Sequence, residues 1–311
     1  MIAVLFPGQG SQAAGMGCDL CDGFAIARDT FAEASDVLGY DLTGVCRVGS
    51  AEQLARTEVT QPALLTHSVA ALRLLCDGGF AFDVALGHSL GEYSALVATG
   101  ALGFRDALGL VKARGEAMAA AATRYPGGMV AVLGLEAGAV EELCAGLDAA
   151  WPANFNCPGQ VVVSCAEPSL ADFDAAAKAA GARRVVRLAV SGAFHSPLVA
   201  PAAAALHDRL AATSWAAPAP AFFSTCSTEF EHDGFPALLE RQLVSPVRFE
   251  QSIRRLSEAG YNAYLEVGPG AVLTGLVKRI DGDAATATAG DIDSLAAALD
   301  GGWATSGEAD R

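Results

Sequence analysis

The chain is 311 residues long and 52% hydrophobic, with 35 acidic against 20 basic residues and a formal net charge of −15. That much apolar material builds a large core, in one domain or in a domain plus an insert. Charge so far below zero argues against nucleic acid and anionic membrane surfaces as partners, and no run approaches the ~18 uninterrupted apolar residues of a membrane span.

Residues 1–6 have no basic region before them and run directly into Pro7-Gly8, so they read as a first strand and not as a signal peptide. The eight cysteines are scattered; Cys18 and Cys21 form a C-x-x-C, but no second pair or nearby histidine completes a zinc site. Core-filling thiols in a reducing compartment are the reading, which points to the cytoplasm.

After the strand over 2–6 comes Gly8-Gln9-Gly10, where two glycines let backbone approach a ligand while Gln9 stays in place. No lysine follows, which argues against a phosphate loop. Helical patterning covers 24–37 and 51–56. A long apolar helix is predicted from Thr60 to about Cys76, with Pro62 in its first turn. His67, inside it, reads as a core or surface histidine.

Val84 to Leu86 predicts a second buried strand and Leu90 to Ala98 a helix. Between them Gly87-His88-Ser89-Leu90-Gly91 is a G-x-S-x-G sequence in the strand-to-helix setting the motif requires. A chain that turns at once from strand to helix needs tiny neighbours around its apex, and the apex hydroxyl then stands over the free N–H groups of the helix start. In the next predicted helix Leu108, Val111, Gly115 and Met118 face the core, with Arg114 beside them. That arginine either snorkels to water or ends in a pocket that supplies a carboxylate; periodicity does not choose.

From 127 to 190 the order is strand, helix, strand, strand, helix, strand: 128–133, 137–147, 152–155, 160–165, 170–180 and 184–190, with a turn at 156–159. This βαββαβ order predicts an inserted ferredoxin-like subdomain over 125–190 that makes one wall of a cleft. Residues 1–124 and 191–300 are expected to form an α/β-hydrolase-like subdomain with a parallel sheet, and 301–311 a mobile tail. In the second part, Ser191-Gly192-Ala193-Phe194-His195 presents a histidine just past a strand end, where bases are often placed. Strands are predicted over 221–225, 261–267 and 284–289, with a loop after the first, and helices over 235–243, 271–280 and 292–299.

Ser89 is a weak nucleophile until a base takes its proton, and His195 is the best-placed candidate. Acids between them in the chain, such as Asp148, Glu167, Asp172 and Asp174, fall in the insert, so a Ser–His dyad oriented by a neutral group is predicted. The backbone amides of Leu90 and Gln9 are the candidate oxyanion donors.

Seven stretches, in order, carry a resemblance: Phe6-Pro7-Gly8-Gln9-Gly10-Ser11-Gln12, Thr60-Gln61-Pro62-Ala63, Gly87-His88-Ser89-Leu90-Gly91-Glu92, Val111-Lys112-Ala113-Arg114-Gly115, Gly192-Ala193-Phe194-His195-Ser196, Gln242-Leu243-Val244-Ser245-Pro246-Val247 and Glu266-Val267-Gly268-Pro269-Gly270. The chain thereby resembles the malonyl-CoA:acyl-carrier-protein transacylases from residue 4 to about 280. The resemblance implies an [acyl-carrier-protein] S-malonyltransferase of fatty-acid or polyketide synthesis, working by ping-pong kinetics. Ser89 would take up malonyl from malonyl-CoA and pass it to the phosphopantetheine thiol of an acyl carrier protein. His195 would be the base, oriented by the backbone carbonyl of Gln242, and Gln9 and Leu90 the oxyanion hole. Arg114 would hold the malonyl carboxylate, Gln61 would line the pocket, and Phe194 matches malonyl-selective members. No tightly bound cofactor is implied, since the pantetheine arm arrives on the partner. One departure is Thr225, where the family usually carries asparagine. A serine acyl-hydrolase of the same fold is the alternative. Arg183, Arg184, Arg187, Lys278 and Arg279 are candidates for a basic patch that meets an acidic carrier protein.

Overall fold

Two strands with every residue buried, β1 (Ile2–Phe6) and β2 (Val84–Gly87), pair in parallel at the centre of the larger sheet. Continuous apolar runs of this kind suit strands covered on both faces. Val4, Phe6 and Ala85 enter one core and Ala3, Leu5, Val84 and Leu86 the other. The computed structural model describes residues 1–301 and 303; apart from 301 and 303, the expected tail lies outside them.

The remaining strands are β3 (Gly127–Leu133), β4 (Ala150–Cys157), β5 (Gln160–Ala166), β6 (Arg184–Arg187), β7 (Ala221–Phe223), β8 (Phe230–Glu231), β9 (Ala263–Val267) and β10 (Ala285–Ala289). The larger sheet has the order β10-β9-β1-β2-β7-β8 and is parallel except for the β7–β8 pair. The two-residue β8 lies where the sequence predicts only loop, and is too short to leave a periodic signal.

The smaller sheet is antiparallel, in the order β4-β5-β3-β6. That is the ferredoxin-like arrangement expected of βαββαβ, with the helices Ala137–Ala145 and Leu170–Ala179 packed into its own core around Phe173, Val163 and Val132. β4 is longer than its predicted four residues and runs through Asn156 and Cys157, so the turn shrinks to Pro158-Gly159, with Gly159 at φ 69°. β4 is tied to the segment that leads into the helix Phe249–Glu258. The Phe155 amide donates to the Val247 carbonyl (2.8 Å) and the Val247 amide to the Ala153 carbonyl (2.9 Å).

The long apolar helix spans Thr57–Asp77, three residues earlier than the sequence predicts. Pro62 is therefore its sixth residue and not in its first turn. The early start is set by packing: a Cβ on Gly115 would come within 2.8 Å of the Glu58 Cα, so glycine lets the two helices close on each other there. No helix among the described residues is long and apolar enough to cross a membrane.

Candidate active site

The site is built where β2 turns into the helix Gly91–Ala98. Ser89 occupies the apex with φ 53°, a conformation rare for any residue but glycine. The surrounding glycines are steric necessities: a Cβ on Gly87 would overlap the Gly91 backbone, and one on Gly91 would overlap the Phe6 carbonyl. A Cβ on Gly8 would likewise strike the His88 carbonyl, so the loop after β1 is seated directly on the bend.

His195 is brought to Ser89 across 106 positions of sequence, with its Nε2 2.8 Å from the serine Oγ. It too has a left-handed backbone, φ 55°. Its Nδ1 lies 3.0 Å from the Gln242 carbonyl and 3.1 Å from that of Ser245. Both carbonyls belong to the C-terminal end of the helix Phe235–Val244, where backbone oxygens lack helical partners. They take the place of an acid. A carbonyl can only accept, so Nδ1 carries the proton and Nε2 is left as the acceptor for the Ser89 hydroxyl. Burial, helped by the Arg114 charge, pushes the His195 pKa down to about 3, which keeps the ring neutral at ordinary pH.

Arg114 does not snorkel. It is 1% exposed, on the helix Phe104–Arg124, with its guanidinium over the Tyr93 ring. Its Nη1 donates to Gln61 Oε1 (2.8 Å), and its Nη2 lies 3.2 Å from Gln242 Oε1 and 3.3 Å from Ser89 Oγ. Arg114, Gln61, Ser89 and His195 line a cavity of about 250 Å³ together with Gln9, Leu90 and Phe194, and Gln242 stands behind them. Every site residue predicted from the sequence therefore reaches one place, Gln242 by both its carbonyl and its side chain. Met129, Asn154, Asn156, Gln160, Val162, Leu188 and Val190 form the opposite wall from the smaller subdomain, as its insertion suggests.

Three residues escaped the sequence reading. His88, beside the nucleophile, is 3.0 Å by its Nε2 from Asn156 Oδ1 and so ties the bend to β4. Glu92 is fully buried and accepts from Ser224 Oγ (2.9 Å), the Thr225 amide (2.6 Å) and Gln242 Nε2 (2.7 Å). A lone carboxylate in an otherwise apolar, buried helix was the signal available for it. Ser164 fixes the histidine loop by donating to the Phe194 carbonyl. Thr225, where the family usually has asparagine, bears on the bend and not on that loop: its hydroxyl lies 2.9 Å from the Gly87 carbonyl and 3.0 Å from Glu92 Oε1. His67 is remote from this cavity, buried with its Nε2 2.7 Å from the Gly290 carbonyl, and burial raises the thiol pKa values of Cys18 and Cys21.

Comparison with known proteins agrees with this geometry. Residues 4–290 match the acyl transferase domain model. The chain is 42% identical to malonyl CoA-acyl carrier protein transacylase of Escherichia coli over 96% of its own length and 98% of the relative's. The Bacillus subtilis counterpart is 41% identical, over 96% of each. Among solved structures, a malonyl-transacylase in complex with its type II PKS acyl-carrier protein superposes with a TM-score of 0.94 at 40% identity, covering 96% of this chain and 99% of that one. An acyl carrier protein S-malonyltransferase from Vibrio cholerae gives 0.92 at 42% identity, over 95% and 99%. The chain belongs to the acyl transferase family, among its malonyl-CoA:acyl-carrier-protein transacylases.

Proposed function

We propose that this protein moves a malonyl group from malonyl-CoA to the phosphopantetheine thiol of an acyl carrier protein, for fatty-acid or polyketide synthesis, with Ser89 as the carrier between the two thiols. In the first half, His195 Nε2 takes the hydroxyl proton as Ser89 Oγ attacks the thioester carbon. The carbon–sulfur bond breaks, and the departing coenzyme A thiolate recovers the proton from His195. In the second half the pantetheine thiol gives its proton to His195, its sulfur attacks the serine ester, and Ser89 leaves reprotonated. The backbone amides of Gln9 and Leu90 serve the oxyanion in both halves; one such donor is typically worth about 2.7–4 kcal/mol.

The observation that carries the reading is the buried guanidinium 3.3 Å from Ser89 Oγ. Arginine meets a carboxylate through two parallel charge-assisted bonds of roughly 1.5–3 kcal/mol each, bonds that an acetyl group cannot make. Arg114 thus favours malonyl over acetyl by on the order of a thousandfold. Gln61, which holds Nη1, sets the angle of the guanidinium, and Phe194 closes the wall beside it. This recognition suits transfer of a diacid and gives a serine hydrolase no advantage.

The proposed reaction calls for no resident cofactor, and its coenzyme A and carrier-protein substrates support a cytoplasmic location. For the carrier protein, Lys278 and Arg279 follow the cavity-lining Leu276, and Arg279 donates to the Pro158 carbonyl beside Gln160. Arg183 and Arg184 adjoin the same rim, since Arg183 packs against Gly134, whose amide bonds the Gly159 carbonyl. Arg187 is engaged with Glu167. The four remaining cations are the proposed landing for an acidic partner.

The direct test is malonyl-CoA offered without a carrier protein. A malonyl adduct on Ser89 by mass spectrometry, absent in Ser89→Ala, is expected. Loading that survives the substitution rejects the assignment, and rapid release of free coenzyme A without an adduct points to hydrolysis.

A further inference from the structure

Gln242 stands between two buried charges. Its side-chain Nε2 is 2.7 Å from Glu92 Oε2 and 2.8 Å from the Ser89 carbonyl, and its Oε1 is 3.2 Å from Arg114 Nη2. The two acceptors use both amide hydrogens, so the amide has one orientation that satisfies all three neighbours. Turned over, it would set an oxygen against a carboxylate and a carbonyl, and an NH₂ against a guanidinium. Glu92 is itself anchored from behind. Its Oε1 accepts from the backbone amides of Thr225 and Cys226 (2.6 and 3.3 Å) and from the Ser224 hydroxyl (2.9 Å). The Thr225 hydroxyl, whose one hydrogen serves the nearer Gly87 carbonyl, lies 3.0 Å away.

We infer that Glu92 is the positioning residue for substrate-carboxylate recognition, acting through the Gln242 amide to hold Arg114 and to supply the buried counter-charge it needs in the resting enzyme. Glu92 and Arg114 are 0% and 1% exposed, and buried charges are tolerated when they are compensated through hydrogen bonds. One amide joins them: carboxylate, N–H, carbonyl, guanidinium. An arriving malonyl carboxylate then meets a guanidinium whose direction is already fixed. This inference rests on the transferase reading and adds to it the group that sets the selectivity.

Glu92→Gln tests it with almost no change of shape. The Thr225 and Cys226 amides require an oxygen at the Oε1 position, so the new NH₂ must face Gln242, where it meets another NH₂. Gln242 then turns over or withdraws, and Arg114 Nη2 loses its amide acceptor while Nη1 keeps Gln61. The measurement is kcat/KM for malonyl-CoA and for acetyl-CoA in each variant. The malonyl-to-acetyl ratio is expected to fall by about tenfold or more, mainly through KM for malonyl-CoA; any loss of the Gln242 contact with the Ser89 carbonyl slows both reactions alike and cancels in the ratio. Gln242→Met removes the amide while leaving the carbonyl on His195. Because that amide also holds the Ser89 carbonyl, both acyl reactions are expected to slow, but malonyl by about tenfold or more beyond acetyl. This ratio decides the matter should Glu92→Gln fail to fold. A parental ratio in either folded variant, or equal losses for both acyl groups, overturns the relay. A parent enzyme with no preference for malonyl would instead reject the transferase reading on which it rests.

Discussion

The half of the cavity that carries Ser89 and His195 is fixed by backbone, whereas the half that carries Arg114 is fixed by side chains. On the first side, glycines at 87 and 91, two left-handed residues and a pair of helix-end carbonyls determine where the reacting atoms lie. On the second, Gln61, Gln242 and Glu92 pass hydrogen bonds from one side chain to the next. A backbone-built site admits few substitutions and keeps its chemistry constant. A side-chain-built one can be retuned, so reactivity and acyl selectivity are separable in this fold.

The largest effect should come from breaking the backbone side. Gly91→Ala puts a methyl into the Phe6 carbonyl, which cannot yield without moving β1. A loss of about 3 kcal/mol or more in stability is expected, together with loss of Ser89 labelling. Thermal denaturation and intact mass measure the two; a stable, labelled Gly91→Ala protein would show that the bend is looser than its geometry implies.

Next comes the side-chain half. Arg114→Ala should lower kcat/KM for malonyl-CoA by on the order of a thousandfold while changing acetyl transfer by less than about tenfold. Equal losses would mean that Arg114 supports Ser89 and does not recognise the carboxylate.

The same division explains what could be read from the sequence. Gly87, Ser89 and Gly91 announce a strand-to-helix bend because only small residues fit there, and a backbone constraint of that kind leaves a local mark. The βαββαβ order was legible for the same reason, each element being set by its own periodicity. Glu92, His88 and Thr225 left little trace, because their roles depend on residues 132, 68 and 138 positions away. Gln242 was found through resemblance alone: no local pattern says which carbonyl at a helix end will meet a ring from position 195. The start of the long helix was misplaced because its packing against Gly115 is likewise non-local.

The two halves do communicate through charge, and pH exposes it. An imidazole must be neutral to accept the Ser89 proton. Acetyl loading, which does not draw on Glu92, should therefore stay flat from pH 7 down through the ordinary imidazole value near 6.5 and fall only towards about 3. Burial raises the Glu92 pKa, so malonyl loading should fall earlier. Arg114 is the second cause of that depression, after burial. Removing it should therefore move the acid limb of acetyl loading upward. The sign for stability follows: between pH 6.5 and 3 the unfolded chain takes a proton that folded His195 refuses, so this contribution is complete above about 6.5 and is lost as pH falls. An acetyl limb near 6.5 in the parent would mean that the ring is hydrated in solution.

The smallest expected effect lies at the seam between the halves. Thr225→Val keeps the shape but withdraws the hydroxyl that lies 2.9 Å from the Gly87 carbonyl and 3.0 Å from Glu92. An unsatisfied buried acceptor costs about 1–3 kcal/mol, so a melting temperature lower by a few degrees is expected. Glu92 Oε1 still receives the Ser224 hydroxyl and the two backbone amides, which leaves its hold on Gln242 in place. The malonyl-to-acetyl ratio should therefore shift by less than about threefold. A collapse of that ratio would place Thr225 within the recognition relay, and the boundary between a backbone-built and a side-chain-built half would have to move to the turn after β7.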